Sequence, residues 1–535
     1  MSDLEFDYVI VGAGAAGCTL ANQLSAQLDV TVCLLEAGPM DKHPTVRVPA
    51  GFTRVIGNAS RTWSFETEPT VQTANRSIPL IQGKMLGGST SLNGMVYVRG
   101  QRADFDAWAA LGNPGWSYKE VLPFFRALES RTFGEPEYSG RSGPVNVTRV
   151  RWRDPACSAF MEAAVENGLP INPDYNGREQ KGVDFTQATI HRRRRVSAST
   201  AFLQTATRRR NLHVVTHAVA ERILFSTNRA VGVRYVRDGQ PMSVKARREV
   251  IVSAGTINTA RLLQISGVGD PDWLVQLGVP LVNALPGVGR NLRDHYLCTL
   301  VAGGQRFRSI NQLAAWPRLG LQLARYVLGA VSILELPPPV MHCFMKSADD
   351  GRDADIQGVF TPASNHRVHS AKLDSAAGMT FGFWQHRPMS SGYVRAVSTS
   401  LCEQPLIQPN YLADERDRAV VVAGFRLMRN LLRSQSLKPY IREETLPGEH
   451  VETDEALLQF AQQTGRTAYH FVGTASMGPA SNRLSVVGAD LRVHRMESLR
   501  VVDASIMPQM ISGNTQATTM MLALKAADII RRQSR

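Results

Sequence analysis

Short apolar runs flank a helical pattern at the start of the chain. Residues 7–11 are rich in β-branched side chains, as in a strand buried on both faces of a parallel sheet. Leu20 and Leu24 lie one turn apart in the segment 18–24, which predicts a helix. Residues 30–35 are typical of a second buried strand. The order strand, helix, strand predicts a βαβ unit with parallel strands.

Two later segments have hydrophobic patterns that predict a helix and a strand. Apolar residues recur with helical spacing at 517–530, which predicts a closing helix. Polar and apolar residues alternate at 392–397, as in a half-solvated strand of an antiparallel sheet. No uninterrupted apolar run reaches the roughly 18 to 20 residues that a membrane-spanning helix needs.

The turn after the first strand is a glycine loop, Gly-Ala-Gly-Ala-Ala-Gly at 12–17. Gly12 allows a tight turn, Gly14 lets the backbone approach a pyrophosphate, and Gly17 lets the helix pack closely on the strands. The helix N-terminus then offers free amide groups to the phosphates. Glu36 follows the second strand, where an acid binds ribose hydroxyls, so NADP is disfavoured while NAD and FAD stay open. The residues predicted to line this dinucleotide site are Gly12, Gly14, Ala15, Ala16, Gly17, Glu36 and Ala37.

Composition adds domain number and charge to this picture. A length of 535 residues exceeds what one hydrophobic core supports, so two or more domains are expected, and 43% hydrophobic residues exclude a disordered chain. Sixty Lys and Arg against 46 Asp and Glu give a net charge of +14. The arginine runs at 192–195 and 208–210 are interpreted as a solvated surface. Contact with an anionic membrane is the alternative, and nucleic acid is not expected because no recognition module accompanies the charge.

The cysteines and the first residues indicate a cellular compartment. The six cysteines have no paired spacing, which predicts reduced thiols and neither a disulfide framework nor a metal site. The acidic start of the chain lacks the basic region and cleavage site of a secretion signal. A cytoplasmic protein is therefore expected, with peripheral contact at the inner face of the membrane as a further option.

Several blocks of sequence carry a resemblance to a known family. The second glycine cluster, GKMLGGSTSLNG at 83–94, resembles the first signature of the glucose–methanol–choline oxidoreductases, which are FAD enzymes. Further blocks match the family in the same order, at 253–269, 285–295, 469–474 and 502–515. The resemblance spans nearly the whole chain, and its layout is closest to bacterial choline, sorbose and polyethylene glycol dehydrogenases. FAD is therefore the expected dinucleotide.

The resemblance implies an α/β fold with two interleaved domains. A Rossmann-like FAD-binding domain would comprise residues 1–155, 190–299 and 464–535. A substrate-binding domain over an antiparallel sheet would comprise residues 156–189 and 300–463.

The resemblance also implies how the flavin is held. The glycines of the signature leave room for a flat ring, and Val219 matches a position that contacts adenine through the main chain. Some relatives link FAD covalently through a histidine inside this signature, whereas Leu92 stands at the matching position, so non-covalent FAD is expected. The additional cofactor-binding residues implied are Gly87, Gly88, Ser89, Asn93, Gly94, Val96, Val219, Asp503, Ala504 and Thr515.

Two residues match the family's catalytic pair. Removal of hydride from an alcohol leaves a hydroxyl proton, which a neutral imidazole accepts, while a second group holds the substrate oxygen. His470 and Asn514 match these positions, with His470 as the general base. His295 is the rival base, but beside Asp294 it is interpreted as structural.

The implied activity is oxidation of the CH–OH group of a primary alcohol or polyol to an aldehyde or ketone, with hydride passing to flavin N5. A quinone, a cytochrome or oxygen would take the electrons. Choline is an alternative substrate, for which Trp63, Trp384 and Glu335 are candidate contacts. A flavin-containing hydroxynitrile lyase is a second alternative. The segment 336–339 lies where relatives line the substrate entrance, or it is a surface loop.

Overall fold

The computed structural model describes residues 4–348, 351, 353–365, 372–401 and 403–533. Helices and sheets are mixed throughout, as the α/β expectation requires. Its longer helices, numbered along the chain, are α1 Ala15–Leu24, α2 Arg102–Ala110, α3 Tyr118–Leu128, α4 Pro155–Glu166, α5 Thr256–Ile265, α6 Arg318–Leu328, α7 Glu415–Leu432, α8 Asp454–Thr464 and α9 Thr515–Gln533.

Two large sheets organise these helices. The strands of both, numbered together along the chain, are β1 Leu4–Val11, β2 Val32–Leu35, β3 Gly182–Phe185, β4 Leu212–Val215, β5 Ala218–Ser226, β6 Arg229–Arg237, β7 Gln240–Val252, β8 Tyr296–Gly304, β9 Met341–Met345, β10 Ile356–Thr361, β11 Gly378–Gln385, β12 Ile441–Leu446, β13 Arg466–Thr467 and β14 Leu499–Val501. The first sheet has the order β4-β2-β1-β7-β6-β5, with β14 beside β7. The second has the order β12-β8-β11-β10-β9-β3, with β13 beside β8.

The first sheet contains the predicted βαβ unit. Strands β1 and β2 pair in parallel, and β1 also pairs in parallel with β7. Both predicted strands are buried, and the helix between them begins at Ala15, three residues before the predicted start. The second strand starts at Val32, two residues late. The prediction is thus confirmed with small differences at the boundaries.

The second sheet is antiparallel and carries its own hydrophobic core. Strand β8 pairs with β11, β11 with β10, and β10 with β9, all antiparallel. Aromatic residues fill the space behind it, with Phe160 of α4 stacked on Phe360 at 4.4 Å between ring centroids. A separate core lies around the first sheet and includes α1 and α9.

The strand predicted at 392–397 is shorter and belongs to a small antiparallel sheet. Gly392–Arg395 is a strand, but it pairs with Arg290–Leu292 and Leu406–Gln408 in a separate three-stranded sheet. The alternation was correct for a half-solvated strand. The sheet is antiparallel, as predicted, but the alternation contained nothing that identified the partner strands.

The end of the chain and the cysteines agree with the sequence analysis. Helix α9 covers the predicted closing helix, extends it at both ends, and packs against α1 and α3. None of the helices in the described ranges is long and apolar enough to cross a membrane. The cysteines outside position 402 are buried free thiols, while Cys402 lies outside the described residues.

Candidate functional site

One edge of the first sheet collects most of the predicted dinucleotide residues. Parallel strands end at the same edge, and the loops after β1, β2, β7 and β14 follow there. Backbone bonds join these loops: Gly12 N donates to Leu35 O at 2.8 Å, and Ser253 N donates to Val11 O at 2.8 Å. Val502 continues the same ladder. In open α/β sheets, ligands bind outside the carboxyl ends of the strands.

The first glycine loop needs two of its glycines for internal packing. Gly12 has φ of 97°, and a Cβ there would lie 2.5 Å from Ser253 O. A Cβ on Gly17 would lie 1.8 Å from Gly12 O. Gly14 differs, because a Cβ there would meet nothing within 4 Å. The protein itself therefore does not require glycine at 14, and open space lies above this part of the loop.

The two glycine motifs meet each other. Gly87 N donates to Ala13 O at 2.8 Å. Gly88 has φ of 52°, and a Cβ on it would lie 2.8 Å from Gly14 Cα. The fold thus brings two motifs more than 60 residues apart in the sequence to the same open space.

Glu36 holds the first loop in place. Its Oε2 accepts from Ala13 N at 2.9 Å and its Oε1 from Gly38 N at 2.9 Å. Burial raises the pKa of this carboxyl, which these amides partly oppose. Glu36 is therefore part of the loop's own framework, and the contact with ribose hydroxyls stays a prediction.

Asp503 acts inside the protein in a similar way. Its Oδ2 accepts from Gly255 N at 2.9 Å and from Thr259 Oγ1 at 2.6 Å, while Oδ1 accepts from Ser505 N at 2.8 Å. Burial raises the pKa of this carboxyl as well. With the side chain engaged in these bonds, contact of Asp503 with a cofactor would fall to its backbone.

The remaining predicted cofactor residues lie in several different elements. Ala37 follows Glu36, and Ala15 and Ala16 open helix α1. Val219 is in β5, where it pairs with Val236. Ala504 directly follows Asp503, and Thr515 is the first residue of α9. Ser89 is exposed, and its Oγ accepts from Gly83 N at 3.1 Å. The backbone of Val96 bridges that of Ala188, and Pro338 of the 336–339 segment lies against Gly94.

Arg195 corrects the interpretation of the first arginine run. It is 4% exposed, and its Nη1 donates to Asn93 O at 2.7 Å and to Asn93 Oδ1 at 2.9 Å. Its Nε donates to Val46 O at 3.1 Å, and burial lowers the pKa of its guanidinium to about 9. The last member of the run thus supports the signature loop instead of facing solvent. Four identical residues in a row gave no sign of which one turns inward.

The predicted catalytic pair is in direct contact. His470 Nε2 and Asn514 Nδ2 are 2.9 Å apart. Asn514 directly precedes α9, and its Oδ1 accepts from Gln357 Nε2 of β10 at 3.2 Å, which orients the amide. His470 follows Tyr469, whose φ of 62° is in the left-handed region, sparsely populated by non-glycine residues.

His295 contacts the catalytic candidate directly, which its interpretation as structural did not foresee. Its Nδ1 lies 2.8 Å from His470 Nδ1, and its Nε2 lies 2.7 Å from the carbonyl oxygen of His386. A carbonyl only accepts, so His295 Nε2 carries a proton and, in the neutral ring, Nδ1 accepts. His470 is then protonated at Nδ1, and its Nε2 lone pair is the basic one. The lone pair of His295 Nδ1 is directed at His470 Nδ1–H, so His295 is poorly placed as a rival base.

Burial keeps both imidazoles neutral. Burial lowers the pKa of His295 to about 4. The pKa of His470 falls well below its ordinary value because of burial and of the adjacent His295 ring. A neutral imidazole can accept a proton, whereas imidazolium cannot.

Asp294 anchors the loop that carries His470. Its Oδ1 accepts from His470 N at 2.7 Å, and its Oδ2 accepts from the hydroxyls of Tyr411 and Thr467 at 2.5 Å each. Burial raises the pKa of this carboxyl to about 6. The structural interpretation of Asp294 agrees with these contacts.

Three polar atoms at the site lack a partner in the part of the chain that the structure describes. They are Trp384 Nε1, Gln357 Oε1 and Gln516 Nε2, all buried. Trp384 packs edge-on against His470 with centroids 5.7 Å apart, and the side-chain oxygen of Gln516 accepts from Asn93 Nδ2. Buried polar groups normally have partners, so these atoms point to a polar ligand. Gln357 and Gln516 were missed because neither lies in a recognisable motif.

Of the three candidate choline contacts, Trp384 packs against His470, whereas Trp63 and Glu335 have other neighbours. Lys84 Nζ lies 4.4 Å from the ring centroid of Trp63, so a cation already covers that ring. Glu335 pairs with Arg151 at 3.7 Å. Both line a cavity of about 490 Å³ together with Leu336, and His470 is not among the residues that line it.

Comparison with known proteins identifies the family. A family model described as GMC oxidoreductase matches residues 6–297, and a second of the same description matches residues 388–523. The chain belongs to the GMC oxidoreductase family. FAD is accordingly the cofactor of this GMC oxidoreductase, as the resemblance implied.

The chain is similar to relatives and to solved structures along nearly its whole length. The GMC oxidoreductase is 36% identical to an alcohol dehydrogenase [acceptor] of Pseudomonas putida over 99% of this chain and 96% of that protein. It is 39% identical to an oxygen-dependent choline dehydrogenase of Pectobacterium carotovorum over 99% and 95%. Pyridoxine 4-oxidase from Mesorbium loti superposes with a TM-score of 0.89 at 28% identity, covering 98% of this chain and 99% of that one.

The residues present in this GMC oxidoreductase fit FAD. The open space above Gly14 gives a pyrophosphate close access to the backbone and the start of α1. The unpartnered Gln516 Nε2, beside Asn93 of the signature loop, offers a donor to a polar ring. Leu92, where some relatives carry the linking histidine, is 8% exposed and packs with Val46 and Met85.

Proposed function

We propose that this GMC oxidoreductase oxidises the CH–OH group of a primary alcohol or polyol to the aldehyde or ketone, with His470 as general base. The observation that carries the proposal is the 2.9 Å contact between His470 Nε2 and Asn514 Nδ2. It joins a basic nitrogen to a hydrogen-bond donor in a buried site. An alcohol oxygen that met both groups would lose its proton to one and be held by the other.

The chain's own residues would manage the proton. His470 Nε2 accepts it from the hydroxyl, and His295 keeps the basic lone pair on Nε2 by accepting from Nδ1–H. Asn514 donates to the alkoxide-like oxygen, and Gln357 holds the Asn514 amide in the required orientation. Bound FAD supplies the acceptor for the hydride. We propose that it is held without a covalent bond, since Leu92 has no nucleophilic atom.

The donor class rests on relatives and on the site. The Pseudomonas putida relative is named an alcohol dehydrogenase [acceptor], which supports an alcohol. Choline is the second candidate, favoured by the 39% identity to a choline dehydrogenase. Against a quaternary ammonium substrate, Trp63 is covered by Lys84 and Glu335 is paired with Arg151. We therefore rank an uncharged alcohol first.

We also propose the division of the chain and the route of the electrons. Residues 1–155, 190–299 and 464–535 would bind FAD, and residues 156–189 and 300–463 would bind the substrate. A quinone, a cytochrome or oxygen would reoxidise the flavin. The net charge of +14 supports peripheral contact with the inner face of an anionic membrane, where a quinone is accessible.

Anaerobic mixing of the holoenzyme with an alcohol panel tests the reaction. The panel holds a long-chain primary alcohol, an aromatic alcohol, a polyether glycol, sorbose and choline, and the readout is bleaching of the flavin. Bleaching by one member supports the proposal and names the substrate class, and readmitted air separates an oxidase from a dehydrogenase. Flavin that dithionite reduces but no alcohol bleaches would contradict it, and cleavage of a cyanohydrin by the same sample would favour the lyase.

The variant His470→Ala tests the base. We expect it to keep its flavin and to lose at least ~100-fold in the rate of flavin reduction, the usual contribution of a general base. The matched control is His191→Ala, which removes an exposed histidine. Near-normal reduction by His470→Ala would assign the proton transfer to another group.

A further inference from the structure

Helix α6 presents its apolar side to solvent. Leu321, Ala324 and Leu328 follow at intervals of three and four residues and share one side of the helix. Leu321 is 62% exposed, Val327 77% and Leu328 84%, and Trp316 just before the helix is 76% exposed. A surface helix normally turns its apolar stripe toward the core. Here the reverse holds, and such contiguous exposed apolar groups mark an interaction site.

The polar side of α6 fixes it in this orientation. The carbonyl oxygen of Gln322, the buried residue of the helix, accepts from Ser332 Oγ at 2.8 Å, and its Oε1 accepts from Ile333 N at 3.2 Å. Tyr326 Oη donates to Arg193 O at 2.9 Å. Polar contacts therefore hold the helix to residues 332–333 and to the hairpin 190–195, which leaves the apolar side outward.

Arginines surround this side. Arg318 and Arg325 of the helix are exposed, and so are Arg192 and Arg194, which flank the residue bound by Tyr326. The sequence holds no Asp or Glu from 185 to 220 or from 295 to 334, the two segments that form this region. The α6 face, defined as Trp316, α6 and the hairpin 190–195, is thus apolar at its centre and basic at its rim, and the neighbouring Glu335 is only 8% exposed.

We propose that the α6 face docks the protein on an anionic lipid bilayer. Leucine, valine and tryptophan would enter the interfacial region while the arginines meet lipid phosphates, the arrangement of helices that lie in a membrane surface. A symmetric contact with a second copy would instead bring the same arginines together, which charge repulsion opposes. The face supplies the surface for the peripheral contact proposed above and does not depend on which alcohol is oxidised. The cavity of about 490 Å³ lies beside it, since Arg192, Arg193 and Gly329 line that cavity.

Co-sedimentation of the holoenzyme with vesicles tests the proposal. One set of vesicles is phosphatidylcholine, and the other is phosphatidylcholine with phosphatidylglycerol in equal parts. We expect the wild type to bind the second set. Binding should be at least about 10-fold weaker for Arg192→Gln/Arg194→Gln, because each arginine near the surface contributes to the attraction to anionic lipid. Val327→Asp/Leu328→Asp should abolish it. The matched control Val71→Asp/Val275→Asp changes two side chains that are 74% and 79% exposed elsewhere, and it should bind like the wild type.

Two readouts separate the alternatives. Flavin content and flavin reduction by a soluble alcohol should be equal in all four proteins, so lost binding would not reflect lost folding. Wild-type protein that stays in the supernatant with both vesicle types, or a control that loses binding equally, would overturn the proposal. So would a native mass that halves in Val327→Asp/Leu328→Asp without vesicles, because the face would then join two copies.

Discussion

At the scale of single residues, the arrangement of two imidazoles defines which nitrogen is basic. The rings of His295 and His470 meet edge to face, with centroids 5.1 Å apart and planes at 89°. The carbonyl of His386 decides the tautomer of His295, and His295 decides that of His470. A backbone carbonyl thus acts on the base through one intervening ring. His295 is a positioning residue in this account, because it does not touch the alcohol.

Replacing His295 tests this chain of contacts. His295→Leu removes the acceptor from His470 Nδ1–H, and we expect flavin reduction to slow by about 10- to 100-fold at saturating alcohol, because roughly nine-tenths or more of the base would lose the correct tautomer and orientation. His295→Asn keeps an acceptor near the same position and should recover most of the rate. The pH profile adds a second measure, because the variant removes the acceptor of His470 Nδ1–H and should therefore shift the pH at which the base titrates. An unchanged rate and profile in His295→Leu would leave His295 a packing residue.

Leu92 leads to a prediction about the cofactor bond. A leucine packed among apolar neighbours cannot form a covalent link to FAD. Acid precipitation of the purified holoenzyme should therefore release the yellow chromophore into the supernatant. Colour retained in the washed pellet would show a covalent link through another residue.

At the scale of elements, the glycines of the first loop divide into two classes. Gly12 and Gly17 are needed because the protein's own backbone fills the space a Cβ would take. Gly14 precedes α1 with φ of −79° and an empty surrounding, so an alanine fits the apoprotein there. Gly12 and Gly17 are therefore required for folding, whereas we expect Gly14 to be required for binding of the cofactor.

A matched pair of alanine variants tests this division. Gly14→Ala should leave the stability of the apoprotein within the small change expected for alanine at an allowed φ, while FAD binds at least about 10-fold more weakly, a loss of about 1.4 kcal/mol. Gly17→Ala should fail to give folded protein, because its Cβ would lie 1.8 Å from Gly12 O. Flavin titration of the apoprotein measures the first and circular dichroism the second. Unchanged FAD affinity in Gly14→Ala would place the pyrophosphate elsewhere.

The elements also show why sequence reasoning reached some parts of the molecule and not others. The βαβ unit and helix α9 were predictable because local periodicity and the glycine loop carry their signal within a few residues. The resemblance singled out His470 and Asn514, which the fold brings into contact, while their catalytic roles stay a prediction. Gln357 and the inward turn of Arg195 depend on contacts between distant segments, and no local pattern encodes them.

At the scale of the whole molecule, buried histidines and a buried aspartate have opposite effects on how stability changes with acid. Four buried histidines have lowered pKa values, so they stay neutral in the folded protein while they take up protons on unfolding: His295, His342, His386 and His470. Their contribution to stability is present above the unfolded pKa and is lost as the pH falls. Asp294, whose pKa is raised to about 6, acts in the opposite direction between its two pKa values.

His342 isolates one of these contributions, because it lies outside the contacts of His470. Burial lowers its pKa to about 3, and its Nδ1 lies 2.8 Å from Thr186 Oγ1. Between about pH 5.5 and 4.5 the unfolded chain holds roughly one proton on this ring that the folded protein lacks, which makes the free energy of unfolding fall by about 1.4 kcal/mol per pH unit of acidification. His342→Gln removes that proton, so its stability should fall less steeply with acid by this amount. Urea unfolding of FAD-saturated protein across the window measures the two slopes, and exposed His191→Gln should keep the wild-type slope. Parallel lines for His342→Gln and wild type would mean that this ring is protonated in the folded protein as well.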